Sequence, residues 1–382
     1  MLWALPTRRG ISVTFAFVGI LAACASSSSP PAITETGGSG GSAPPTGGAM
    51  GTGGGGGTGG SGPLSVDAGT MTPTPDAEVE VDTAAPTMTA DGPSSTGEPG
   101  DDAPDRPLNV SGMQAYSIKF KPTDVDPEST GKDETQTAQV DTSKTMQKKL
   151  VIVLAGTGGA PGPLGVASFA AGLGFHTYAI AYHDEYNAST GTSNNAEIFT
   201  NSRFNEFDGK GRTPSQVKVP RADCVEVRVT KALTYLQTKN PQGDWSYYLK
   251  KDGTVRWSDV VFIGHSHGAT SSAAFAHLVR AWRAISLSGP RDTNPVTATW
   301  LTMPTPTPID RYFGFTGTGD SQHPDHIKAM EAAHYVGVLT AVEGMQPPYG
   351  GSHRLKYNGG HGDSANCSGQ YSAVCKYMLG VQ

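Results

Sequence analysis

Over the C-terminal two-thirds of the chain, apolar residues come in uninterrupted runs more often than in alternation. KKLVIVLAGTGG (148–159), FHTYAIAYH (175–183), SDVVFIG (258–264), RAISLSG (283–289) and DRYFGFTG (310–317) each put several apolar side chains side by side and end in glycine or a polar residue. Such runs predict strands buried on both faces of a parallel sheet. Between them lie segments of helical spacing: VASFAAGLG (166–174), residues 222–240 with Val225, Val229, Leu233 and Leu236 on one face, HGATSSAAFAHLVRA (267–281) and residues 324–337. A last strand is expected at HRLKYNGG (353–360) and a last helix at 370–379. QAYSIKF (114–120) alternates and reads as an antiparallel edge strand, and the charged stretch after it, to Lys144, reads as loop. Strands alternating with helices at this spacing predict an α/β fold: a doubly wound, mostly parallel sheet flanked by helices.

The first third of the chain shows no such pattern. TGGSGGSAPPTGGAMGTGGGGGTGGSG and the acidic Pro/Thr-rich stretch after it cannot bury apolar surface, and they lower the hydrophobic content of all 382 residues to 36%. Ahead of them, Arg8 and Arg9 precede a short apolar run from Ile11 to Ala23, too short to span a bilayer comfortably. That run ends in Leu21-Ala22-Ala23-Cys24, which resembles the lipobox of bacterial lipoproteins. The resemblance implies cleavage before Cys24, a diacylglycerol on its thiol, and a place in the bacterial cell envelope. By resemblance to enteric lipoproteins, alanine rather than aspartate after the cysteine implies the outer membrane or cell surface over the inner membrane. The expected organisation is a signal peptide at 1–23, a disordered tether at 24–107 and a folded domain at 108–382.

Charge excludes one class of partner. The net charge is −6 and the Lys/Arg pairs are isolated, so no nucleic-acid partner is expected. Export implies an oxidising compartment, and with Cys24 lipidated three cysteines remain: Cys224, Cys367 and Cys375. Three pairings are open; the short spacing of Cys367 and Cys375 favours that pair and leaves Cys224 as a buried thiol.

The chemistry concentrates at VVFIGHSHGATSSAAFAHLV (260–279), where an apolar strand meets Gly264-His265-Ser266-His267-Gly268 and resumes as a helix of small residues. This is G-x-S-x-G between strand and helix. A tight turn would strain Ser266, a side chain at Gly264 or Gly268 would clash with neighbouring backbone, and Ala269 to Ser272 would let the helix approach the sheet. Ser266 would stand exposed at the sheet's C-terminal edge, with the N–H of His267 at a helix N-terminus able to stabilise an oxyanion.

At these residues the chain, from about 148 to 380, resembles the α/β-hydrolase superfamily. The resemblance implies a nucleophile, an acid after a later strand and a histidine after the last strand, in that order. Asp320, after YFGFTG, and His361, in the glycine-flanked loop after LKYNGG, fill those places, so the expected triad is Ser266, Asp320 and His361. Asp325 and then Asp292 are the alternative acids, and His353 the alternative base. A second oxyanion N–H is expected from Gly156, Thr157 or Gly158. The expected activity is a lipid-anchored serine hydrolase that cleaves an ester or related acyl bond of a small molecule or polymer, with no cofactor and no metal.

Two other readings compete with this one. His265-x-His267 with HPDH (323–326) is similar to a metallo-hydrolase ligand cluster, but the pieces are far apart and no Asp-His follows the first. A surface lipoprotein could also use the fold as a non-catalytic binding module. Residues 290–309 leave no room for a large helical lid, and the polar insertion at 183–216 could wall one side of the pocket; an open site of this kind disfavours long-chain triglycerides. The tryptophans Trp245, Trp257, Trp282 and Trp300 are expected to pack in the core.

Overall fold

The structure is a computed structural model that describes residues 104–158, 161, 165–184 and 193–381. The signal segment, Cys24 and nearly all of the expected tether lie outside the described residues. The chain engages the domain slightly ahead of Leu108. The Arg106 guanidinium grips both carboxylate oxygens of Asp244 at 2.6 and 2.5 Å, and the Asn109 N–H donates to the same carboxylate at 2.7 Å.

The elements in chain order are β1 (Ala115–Phe120), α1 (Pro122–Val125), β2 (Gln136–Asp141), β3 (Leu150–Leu154), α2 (Gly165–Gly172), β4 (His176–Ile180), α3 (Ala196–Asp208) and α4 (Val225–Lys239). They continue with β5 (Val260–His265), α5 (His267–Phe275), β6 (Arg283–Leu287), β7 (Tyr312–Gly317), α6 (His323–Ala332), β8 (Thr340–Ala341), β9 (Arg354–Tyr357) and α7 (Ser372–Leu379). Among the described residues nine strands form one sheet in the order β1-β2-β4-β3-β5-β6-β7-β9-β8. The β1–β2 and β2–β4 pairs are antiparallel, and every other pair is parallel.

Two segments correct the sequence reading. The charged stretch expected as loop contains β2, which pairs with β1 on one side and, through Thr137 to Gln139, with β4 on the other, and buries Gln136, Ala138 and Val140. The polar insertion contains α3, whose phenylalanines Phe199, Phe204 and Phe207 enter the core.

The core lies on both faces of the parallel strands, as their continuous apolar runs demand. On β3, Leu150, Ile152 and Leu154 face a layer with Phe199, Leu233, Leu236 and Phe275. Val151 and Val153 face the opposite layer with Val166, Ala170, Met378 and Leu379. Each fully buried side chain of this size stabilises the fold by about 1.5–3 kcal/mol, so the sheet is a rigid platform for whatever stands on its edge. Trp245 and Trp300 are wholly buried. Cys367 and Cys375 form a disulfide that ties the segment before α7 to that helix, and Cys224 is a buried thiol.

The sheet turns at one point. The chain leaves β3 for β4 on one side, then returns to lay β5 on the other side of β3. Ligand sites of open α/β sheets lie beyond the carboxyl ends of the strands at such a switch. The loop after β3 and the turn after β5, with Gly156 and Ser266, meet there.

Candidate active site

Ser266 connects β5 to α5 at φ 57° and ψ −115°, a conformation that side chains rarely adopt and that costs on the order of 1–3 kcal/mol. The surroundings impose it. The Ser266 N–H donates to the Leu287 carbonyl at 3.0 Å, and the Ser266 carbonyl accepts from the Ala269 N–H at 3.0 Å. A Cβ on Gly264 would sit 2.1 Å from the Gly268 carbonyl oxygen, and one on Gly268 would sit 2.2 Å from that of Leu154. Those glycines are required because backbone occupies the space a side chain would need. The small residues behind them serve the same packing: the Ser286 hydroxyl of β6 donates to the Ala269 carbonyl of α5, and the Ser272 hydroxyl of α5 lies within bonding distance of the Ile285 carbonyl, drawing the helix onto β6.

His361 and Asp320 stand at the same edge. The His361 Nδ1 lies 2.6 Å from Asp320 Oδ2. The carboxylate only accepts, so Nδ1 carries a hydrogen, and in the neutral ring Nε2 keeps its lone pair. Asp320 is buried. Burial alone would raise its pKa, but the Gln322 N–H at 2.8 Å, the His361 ring and the nearby His326 together hold it below the ordinary aspartate value. The carboxyl therefore stays ionised to lower pH than an ordinary aspartate. His361 is about one-third exposed, with its side chain at 33%.

The Ser266 and His361 loops adjoin. The ring of His265, the residue before Ser266, lies 4.9 Å from that of His361, and its Nε2 reaches the His361 carbonyl at 2.8 Å. Among the described residues neither Ser266 Oγ nor His361 Nε2 has a hydrogen-bond partner. Of the expected oxyanion donors, Gly156 packs directly on the serine: a Cβ there would meet Ser266 Cβ at 3.2 Å. Thr157 and Gly158 are exposed.

The alternative residues are engaged elsewhere. Asp325 pairs with Arg291 at 2.8 Å. Asp292 is buried and accepts from Arg203 Nε and Nη2 at 3.0 Å each and from Trp300 Nε1 at 3.1 Å. His353 stacks on Phe313 with ring centroids 3.9 Å apart, at the end of β9 away from His361. The two histidines of the elbow part company. His265 turns to the His361 carbonyl, whereas His267 turns inward to Glu206 Oε1 at 3.0 Å.

That inward contact belongs to a buried polar cluster that sequence reasoning missed. Arg203 and Glu206, one turn apart on α3, reach under the elbow. Arg203 Nη1 lies 2.9 Å from His267 Nε2 and donates to Ser271 Oγ at 3.0 Å, and the Ser271 hydroxyl donates to Glu206 at 2.8 Å. The only signal in the sequence was Arg203 and Glu206 at helical spacing in a segment that lacked an apolar face. The insertion is thus anchored beneath the elbow through α3 rather than merely laid beside the pocket. His326, which the sequence suggested only as part of a metal-ligand cluster, is fully buried; its Nδ1 lies 2.8 Å from Thr316 Oγ1 and 3.9 Å from Asp320 Oδ2.

No family model matches the sequence, and no curated protein matches it. Among solved structures, the chain is similar to a feruloyl esterase module from Clostridium thermocellum, over 72% of this chain and 89% of that one, at 12% identity and a TM-score of 0.34. It is similar to carboxyl esterase 2 from the fungus Tuber melanosporum over 75% of this chain and 96% of that one, at 12% identity and a TM-score of 0.35. A dienelactone hydrolase-like promiscuous phosphotriesterase from metagenomic libraries aligns over 71% of this chain and 99% of that one, at 12% identity and a TM-score of 0.32. The chain's own strand order, its strained strand–serine–helix turn beside the switch point, and the aspartate and histidine loops after β7 and β9 give it the α/β-hydrolase fold.

Proposed function

We propose that this protein is a serine hydrolase that cleaves an ester or related acyl bond through Ser266, His361 and Asp320. The observation that carries this reading is the 2.6 Å bond from the His361 Nδ1–H to a buried Asp320, on the loop that adjoins the strained Ser266 turn. In this mechanism His361 Nε2 takes the proton of the Ser266 hydroxyl as Oγ attacks the acyl carbon. The bond between them closes on substrate binding, as nucleophile–base bonds in ligand-free sites often do. The His267 N–H at the start of α5 and an N–H of the 156–158 loop stabilise the oxyanion, with Gly156 the favoured donor because it packs on Ser266. His361 then protonates the leaving group, and water releases the acyl-enzyme by the same steps in reverse.

Asp320 holds the tautomer that leaves Nε2 bare. Asp320→Asn keeps the shape and removes the charge, and is expected to lower kcat on a nitrophenyl acetate ester by a factor on the order of 10³–10⁴ with little change in KM. A variant within tenfold of the unaltered protein would show that this aspartate is not the acid.

The likeness of Leu21 to Cys24 to a lipobox supports a second proposal: Cys24 carries a lipid that tethers the domain to the bacterial envelope, so the substrate is met at or near a membrane surface. Cells fed an alkyne-tagged fatty acid should yield labelled mature protein that begins at Cys24, and Cys24→Ala should abolish the label and release the protein from the membrane fraction. Equal labelling of both would overturn the anchor and leave the catalytic reading intact.

A further inference from the structure

Two donors from different strands converge on the backbone carbonyl oxygen of His361. His265 Nε2, from the end of β5, lies 2.8 Å away, and Ser288 Oγ, just beyond β6, lies 2.6 Å away. A carbonyl only accepts, so both protons are assigned: Nε2 of His265 carries its hydrogen, and the Ser288 hydroxyl points at His361. The two donors are 96 and 73 residues from their acceptor, so neither contact is a by-product of local turn geometry. Ser288 is held for it at φ 52°.

The loop they grip has little stiffness of its own. Gly359, Gly360 and Gly362 flank His361, and glycine restricts the backbone least. Neighbouring contacts fix the approach to the loop: the Gly360 N–H donates to Asp363 and the Gly360 carbonyl accepts from the Tyr357 hydroxyl. Asp320 fixes the ring from the side-chain end. The His361 carbonyl is the remaining handle, and both donors sit on it.

Building on the triad reading above, we propose that His265 and Ser288 are positioning residues for the reaction: they lock the His361 backbone so that its Nε2 bears on Ser266. His265 precedes the nucleophile directly, so the clamp makes the elbow and the base move as one body. Displacing a reacting group by about 1 Å can cost about 10²-fold in rate, and that loss falls on the chemical step rather than on binding.

His265 also has a charge to avoid. Its ring is faced by His361 and Asp320, with the Gly156 backbone packed beside it. His361 becomes a cation during turnover, and a second cation 4.9 Å away would oppose that. Burial, reinforced by the neighbouring His361, holds the His265 pKa below the ordinary histidine value, against the opposing pull of its bond to the His361 carbonyl and of Asp320. The working form is therefore the neutral tautomer with its hydrogen on Nε2.

The test compares His265→Leu, His265→Gln and Ser288→Ala in the full chain, by kcat and KM on a nitrophenyl ester and by the rate of fluorophosphonate labelling. His265→Leu fills the space but donates nothing; kcat is expected to fall about 10- to 100-fold with KM within about twofold. Glutamine reaches the same point with an N–H and carries no charge at any pH, so His265→Gln should recover kcat to within about threefold of the unaltered protein. Ser288→Ala should cost about tenfold, and combining it with His265→Leu should give a non-additive loss, because both act on one atom. A His265→Leu variant with unaltered kcat and labelling rate, or a glutamine variant as poor as the leucine one, overturns the clamp while the triad stands. An unaltered protein that hydrolyses the ester but takes no label on Ser266 sinks the triad and the clamp with it.

Discussion

Ser266→Ala is expected to lower kcat on an activated ester by a factor on the order of 10⁴ or more while leaving the fold in place. The separation of the two effects follows from the geometry. Alanine keeps the Cβ that already occupies the strained turn at φ 57°, so the backbone cost is unchanged. The Ser266 hydroxyl bonds to no described residue, so its removal breaks no contact there. The contacts that hold the turn are backbone ones, to Leu287 and Ala269, and survive the substitution. The melting temperature should shift by no more than about 1–2 °C, within the range of surface substitutions that leave structural contacts untouched. What remains after the substitution is the oxyanion environment and substrate binding, which together retain a rate above that in water. A variant that keeps a tenth or more of the activity would transfer the nucleophile's role to another residue.

The largest stability effect is expected at Arg203, far from any reacting atom. Its side chain is almost wholly buried and bonds Asp292 with two prongs while reaching Ser271 and His267. Arg203→Ala leaves the carboxylates of Asp292 and Glu206 buried beneath the elbow without their guanidinium partner. Breaking a buried pair in this way typically costs about 3–5 kcal/mol, a large share of the roughly 5–15 kcal/mol that holds a domain together. Lysine would not rescue it, because a point charge cannot supply the two parallel N–H bonds to Asp292. Urea unfolding of the two proteins measures the difference; a loss below about 1 kcal/mol would mean that the cluster is solvated and that α3 is not anchored by it. The same substitution should lower activity, since His267, whose backbone N–H is the proposed oxyanion donor, is gripped by the same cluster.

What was readable in the sequence follows from how each element earns its burial. Strands β3 to β7 are buried on both faces almost throughout, and the wholly apolar runs Leu150–Leu154 and Val260–Ile263 announce that directly. β2 escaped notice because QTAQVD carries only Ala138 and Val140 as apolar residues, and its Gln136 is buried by accepting from the Tyr178 hydroxyl and the Ala181 N–H. α3 escaped for a related reason: AEIFTNSRFNEFD has no clear apolar stripe, because Arg203 and Glu206 are buried as partners of one another's neighbours rather than as hydrophobes. Periodicity detects apolar burial and is blind to polar groups that satisfy each other.

The site divides along the same line. The glycines around Ser266 are legible because they answer to steric needs within a few residues, and the chain order serine, aspartate, histidine is legible because it is one-dimensional. The choice among Asp292, Asp320 and Asp325 is not, since each follows a strand or starts a helix nearby. Distant partners separate them: Arg203 for the first, His361 for the second and Arg291 for the third. Ser288 was invisible for the same reason, being defined by a carbonyl 73 residues away.

Activation of a Ser266 nucleophile by His361 can be read from the mass spectrum of the peptide containing Ser266 after reaction with a fluorophosphonate, alongside the His361→Ala variant. One adduct is expected, on Ser266, formed at least about 10³-fold more slowly when His361 is replaced. An adduct on another residue, or equal rates with and without the imidazole, would contradict it.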